Sequence, residues 1–241
     1  LFARRPLFVI TWHPLHVGWL RRIVQVGLSP ALIIALDNVL LISVNVMLRR
    51  YGGADSDMLI ACAAILQSFM LIITMPLGGI TAGTQSILGY NYGAGDTKRV
   101  VRAEKYIVLL CFVFTAVMFA AAQTIPRVFA GIFTDDPANI EMAAWMIRIY
   151  TLGVVGLAVQ YPFVDGLTGM GLVKWGLLFS MFRKLIFLAG VFILPAMFSA
   201  TTLLYAEPLS DILSASVSGV AYFVLFPKLM RRREQEDAQN A

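Results

Sequence analysis

An all-α polytopic membrane protein, a bundle of six transmembrane helices, is the fold class the sequence predicts, and three observations carry it. Of its 241 residues, 59% are hydrophobic and only 14% charged, with a mean hydropathy of +0.78, so the solvent of most of the chain is lipid. Six apolar runs, at about 25–48, 58–91, 106–126, 140–168, 176–198 and 207–227, each supply the roughly 20 residues needed to cross a hydrocarbon core about 30 Å thick. None of the runs shows the roughly ten-residue alternation of outer-membrane strands, and a helix satisfies its own backbone groups in lipid. The expected organisation is a basic cytoplasmic linker over 1–24, the six-helix bundle over 25–227, and a cytoplasmic tail of basic and acidic residues over 228–241.

The first segment, LFARRPLFVITWHPLHVGWLRR, is too interrupted to span and reads as the interior of a longer chain. Its His13 and His16 stand at i, i+3, but no third ligand lies near them, and no metal site is expected. The first helix places Asp37 midway along the run ALIIALDNVLLISVNVML, with Asn38 beside it and Asn45 two turns on. In the second, Pro76 removes a helical hydrogen bond and Gly79 and Gly83 form a small-xxx-small pair, which predicts a bend and a close helix contact. That helix ends in polar groups, Gln85, Tyr90, Asn91 and Tyr92, before Gly93. The third follows a basic turn holding Lys98, Arg99, Arg102 and Lys105. The fourth carries Gln160, Tyr161, Pro162, Asp165 and Gly166, where a bend is expected. Arg183 and Lys184 lie about eight residues into the fifth, deep enough to pair with a carboxylate inside the bundle. Glu207 and Asp211 open the sixth one turn apart, at the positively polarised end of a helix; Glu207 reads as structural there and Asp211 as a candidate for cation coupling. Arg148 is expected to snorkel to the outer interface. Cys62 and Cys111 fall inside spans and read as small apolar side chains.

The basic residues orient the bundle. Arg4, Arg5, Arg21 and Arg22 precede the first helix, the Lys98–Lys105 cluster and Lys174 occupy alternate connections, and Lys228 and Arg231 to Arg233 close the chain. By the positive-inside rule both termini face the cytoplasm, as an even number of spans requires, and the expected location is the inner membrane. The net charge of +5 is accounted for by helix ends and anionic headgroups, so no nucleic-acid partner is expected. The glycines at 93, 95, 169 and 171 lack the spacing of a phosphate-binding loop or dinucleotide fingerprint, and no nucleophile elbow, zinc-protease helix or kinase set is present. Enzymatic chemistry is therefore not expected.

The run Gly78 to Val100, GGITAGTQSILGYNYGAGDTKRV, resembles the segment that follows a mid-chain helix in the multidrug and toxic compound extrusion (MATE) family. Other pieces agree in order: Gly27-Leu28-Ser29-Pro30 opening the first helix, Asn45, Leu48 and Tyr51-Gly52-Gly53 closing it, and Phe133-Thr134-Asp135-Asp136 before the fourth. Arg183-Lys184 and Ala206-Glu207-Pro208-Leu209-Ser210-Asp211 extend the resemblance to nearly the whole chain. It implies a twelve-helix secondary transporter of two six-helix bundles, of which this chain matches the C-terminal one, exporting bulky, often cationic compounds against entry of H+ or Na+.

An acidic residue at membrane depth is costly and points to function by default. Asp37 is the leading coupling candidate, where a carboxylate could release a proton or bind sodium; the resemblance supports this region of the helix, and Asn38 is the alternative counterpart by one residue of register. The competing reading is a permanent pair with an amide or basic group. Asp165 is the second candidate, and Asn45, Gln85, Gln160, Tyr161, Arg183 and Asp211 complete the cation-coupling or substrate set. The expected partners are membrane lipids, small lipophilic or cationic substrates, and the N-terminal half or a second copy. No cofactor is expected beyond the transported H+ or Na+. Two other functions stand beside efflux: a lipid-linked oligosaccharide flippase of the same superfamily, which needs an enlarged and strongly basic cavity, and a transport-incompetent membrane scaffold or fragment.

Overall fold

The structure, a computed structural model, describes residues 17–240. Eight α-helices make up nearly all of it: α1 (Val17–Tyr51), α2 (Ser56–Gly93), α3 (Thr97–Thr124), α4 (Pro126–Ala130), α5 (Pro137–Tyr150), α6 (Leu157–Gly169), α7 (Val173–Met197) and α8 (Ala206–Asn240). Six spans among the described residues are long and apolar enough to cross a membrane. The fourth consists of α5 and α6 joined by a 3₁₀ segment at Thr151–Gly156, and the sixth adds a 3₁₀ turn at Ala200–Tyr205 to α8. All six predicted runs correspond to these spans. Helix α1 begins at Val17 and α8 runs to Asn240, so helix continues through 17–24 and 228–240 on either side of the apolar runs. His13, His16, Arg4 and Arg5 lie outside the described residues.

Local chemistry explains where the helices stop. The α2–α3 turn closes with Gly95 at φ +74, a conformation that suits a residue without Cβ, and Asp96 then caps α3 by accepting from the Arg99 amide at 3.0 Å. Asp136 caps α5 in the same way, accepting from the Ala138 amide at 3.0 Å, with Pro137 in the first turn where its missing N–H is harmless.

Helix α6 occupies the middle of the bundle, packed on α2, α3 and α7, while α7 lies between α1 and α8. Leu66, Ile73, Leu77, Met146, Leu157 and Phe163 are among the fully enclosed side chains that fill the space between them. Pro162 and Gly166, where a bend is expected, both lie within α6, and the departure from α-helical geometry in this span comes before them, at Thr151–Gly156. Gly153 and Gly156 bring the fourth span against α8, where an added Cβ would meet the Asp211 Cβ at 2.6 Å and the Ala215 Cβ at 2.9 Å, and the backbone tightens to 3₁₀ at that approach. The close contact expected at Gly79 and Gly83 is likewise elsewhere. Neither has a neighbour within 4 Å of an added Cβ among the described residues, and the near approach in this half of α2 is at Gly89, where a Cβ would stand 2.5 Å from the Gly169 carbonyl oxygen. Gly89 lies on the side of α2 turned to α6, whereas Gly79 and Gly83 lie on the outer side.

One end of the bundle is held by α8. Arg233 donates to the Tyr92 carbonyl at 3.0 Å and the Gly93 carbonyl at 2.9 Å, its guanidinium lies 5.8 Å from the centre of the Tyr92 ring, and Thr97 donates to Glu234. The tyrosine-asparagine-tyrosine-glycine run thus terminates α2 and also receives the last turns of α8.

Candidate functional site

Two consecutive residues of α7 organise the polar interior. Arg183 donates through its Nε to Asp211 at 2.7 Å and through an Nη to Glu207 at 2.5 Å, both on α8. Lys184, next along and turned about 100° around the helix, donates to Asp37 on α1. The fork of a guanidinium suits two acceptors one helical turn apart, and Asp211 and Glu207 are four residues apart on α8. Tyr150 adds a long contact from its hydroxyl to Glu207 at 3.5 Å. Asp211 is fully buried and its second oxygen has no partner among the described residues, whereas the Asp37 side chain remains 58% exposed.

These groups line a cavity of about 350 Å³ bounded by α1, α2, α5, α6, α7 and α8, in which Asp37, Lys184, Arg183 and Glu207 face Gln67 and Tyr161. A second, of about 200 Å³, shares Asp37, Tyr161, Arg183 and Lys184 with the first and adds Gln160 and Asp165. A third, of about 660 Å³, shares Asp165, Val164 and Ile33 with the second and opens towards Gln85, Tyr90 and Gly169 near the α2–α3 end. Asp165 itself accepts from the Thr81 hydroxyl. Polar lining therefore continues from that end of the bundle to the charged cluster.

The predicted residues fall into three groups. Asp37, Asn38, Tyr161 and Arg183 meet at the main cavity, Gln160 and Asp165 at the second, and Gln85 at the third. Asn38 also donates to the Ile34 carbonyl at 2.9 Å, and Gln160 accepts from the Ser214 hydroxyl at 3.0 Å. Asn45 is exposed and borders none of the three cavities. In the α2 motif, Tyr90 is exposed and Asn91 donates back to the Ile87 carbonyl at 2.8 Å. Glu207, expected only to steady the start of the last helix, borders the main cavity and pairs with Arg183. Arg148, expected at the outer interface, is only partly exposed, and its Nε is enclosed without a partner. Cys62 and Cys111 are buried free thiols. Sequence reasoning missed Glu104, which is 1% exposed on α3; the signal was present in Val100, Ile107 and Cys111, which share with it one buried helical stripe.

Against known proteins, the family model described as MatE matches residues 31–193, more than half of the chain. The chain belongs to the MatE family. Among curated relatives of this MatE chain, the multidrug export protein MepA of Staphylococcus aureus is 23% identical over 214 residues, covering 87% of the chain and 46% of MepA. The probable multidrug resistance protein NorM of Brucella suis biovar 1 is 30% identical over 169 residues, covering 68% of the chain and 33% of NorM. The MatE fold is also matched by a solved MATE structure in the bent conformation, with a TM-score of 0.83 at 18% identity, covering 99% of this chain and 52% of the other. A MATE transporter in an outward-facing conformation gives a TM-score of 0.80 at 18% identity and covers 97% of this chain and 52% of its own. This MatE chain spans about half the length of the relatives it matches.

Proposed function

We propose that this chain is one six-helix half of a MatE-family transporter that exports lipophilic or cationic small molecules in exchange for protons, with the Asp37–Lys184 pair as the exchange point. The observation that carries the reading is the position of that pair: a half-exposed carboxylate at membrane depth, bonded to a buried ammonium, on the wall of a cavity large enough for part of a drug-sized molecule. A proton arriving at Asp37 forms an O–H bond and releases Lys184; its departure restores the pair. Sodium suits the site less well, because a hard cation needs several oxygen ligands and Lys184 already holds the carboxylate. The lining balances two cations against carboxylates, which favours a cationic or neutral guest over the strongly basic cavity expected of an oligosaccharide-lipid flippase.

The missing wall of the cavity is supplied by another six-helix bundle, since alternating access requires two bundles about a central site. Clusters of Lys and Arg near both ends of the sequence support a reading in which these ends of the chain lie on the cytoplasmic side of an inner membrane. The test is ethidium efflux from efflux-deficient cells expressing the protein that contains this chain, driven by an imposed pH gradient or by an imposed sodium gradient. Asp37→Asn is expected to insert normally and to lose pH-driven efflux. Full efflux by that variant, or efflux driven by sodium alone, overturns the assignment.

A further inference from the structure

Among the described residues, Glu104 is the one buried carboxylate that the cation pairs of α7 leave out. Seven residues into α3, about 10 Å from its start, it occupies a core position of the stripe Val100, Glu104, Ile107 and Cys111. It is 1% exposed, and among the described residues no donor reaches either of its oxygens. The space it fills exists because residue 166 is glycine: a Cβ there would stand 3.0 Å from Glu104 Oε2 and 3.1 Å from the Leu88 side chain. The next residue towards the N-terminus is Asp165, which borders two of the three cavities. Asp165 on α6, Cys111 on α3 and Tyr222 on α8 are titratable groups within electrostatic range of Glu104, and from α2 Thr81 holds Asp165.

An ionised carboxylate enclosed without a donor or a cation is strongly disfavoured, and two carboxylates in one low-dielectric region do not both ionise readily. We propose that Glu104 is a proton-binding site placed behind Asp165, the two carboxyls forming a pair that retains at least one proton and releases it during the cycle. The proton is the ligand that suits the enclosure, because among the described residues no group of three or more acidic, histidine or cysteine side chains gathers to hold a metal ion. The pair adds to the Asp37–Lys184 exchange point a second site one cavity closer to the α2–α3 end, from which protons reach Asp165 or leave it. Its role in transport rests on the efflux reading above; its occupancy by a titrating proton does not.

The test is therefore spectroscopic first. Infrared difference spectra of the protein in liposomes, recorded across a pH titration, are expected to show a protonated-carboxyl band that is absent in Glu104→Gln and fades on alkalinisation. Asp165→Asn is expected to move that fading to lower pH, since removal of a neighbouring negative charge makes Glu104 easier to ionise. A spectrum unchanged by Glu104→Gln, a band insensitive to pH, or a titration unmoved by Asp165→Asn would each overturn the proposal. In the same liposomes Glu104→Gln, which mimics the protonated form, is expected to bind ethidium as the parent does and to lose pH-driven transport. Parent-like coupling in that variant would reduce Glu104 to a permanently neutral packing residue and sink its role in the cycle. Absence of transport in the parent, with the titration intact, would instead defeat the efflux reading and leave the proton site standing.

Discussion

Arg183 is the side chain on which the interior charge balance depends. It is 17% exposed and faces Glu207 and Asp211, the latter wholly enclosed, so Arg183→Met strands two carboxylates in a low dielectric. A loss of about 3–5 kcal/mol is expected for breaking such a pair, measurable as a fall in the thermal midpoint of the purified protein. Arg183→Lys should recover part of it, because one ammonium keeps the charge but lacks the fork that reaches both acceptors. Backbone approach sets a second residue-scale prediction: Gly89→Ala drives a methyl group to 2.5 Å from the Gly169 carbonyl oxygen and should cost about 1–3 kcal/mol in the same assay. The sequence disclosed Asp37, Asp165, Arg183 and Lys184 because charge inside an apolar run is conspicuous. Glu104 escaped notice for the opposite reason. It follows Lys98, Arg99 and Arg102, so it reads as part of a polar connection until the helical stripe around it is traced. The roles of Glu207 and Asp211 were hidden for another reason, since their partner is more than twenty residues away and no local pattern announces it.

At the scale of elements, the clasp between α8 and the α2–α3 turn makes the clearest prediction. Arg233→Ala removes two hydrogen bonds to the carbonyls of Tyr92 and Gly93. Hydrogen exchange is expected to accelerate over 90–97 and in the last turns of α8, while the α5 amides stay protected; uniform acceleration, or none, would contradict a local clasp. The existence and order of the spans were legible, because length and hydropathy decide them and lipid forbids most alternatives. The internal break of the fourth span was not. Pro162 and Gly166 draw attention to the middle of α6, whereas the 3₁₀ geometry lies before that helix, where Gly153 and Gly156 meet α8. Glycine reveals that a neighbour can come close without revealing which neighbour does, which is also why Gly79 and Gly83 were assigned a contact that Gly89 makes.

For the molecule as a whole, the three cavities bring charged and amide side chains inside a chain that exposes many large apolar side chains, and water should be able to tell cavity from exterior. Asn38→Cys, on the wall of the main cavity, is expected to react with a membrane-impermeant maleimide, whereas Val113→Cys, 54% exposed on the apolar outer side of α3, should resist it in liposomes. Equal reactivity at both positions would mean that the cavity is sealed or that the outer face of α3 is wet. The consecutive pairing of Arg183 and Lys184 has a mechanical consequence as well. Side chains at adjacent helical positions diverge by about 100°, so α7 is moored on two sides, to α1 through Asp37 and to α8 through Glu207 and Asp211. On the proposed reading, a proton at Asp37 slackens the first mooring and leaves the second taut, so the side of α7 that faces α1 is the side that loosens, like a door unlatched but still on its hinge.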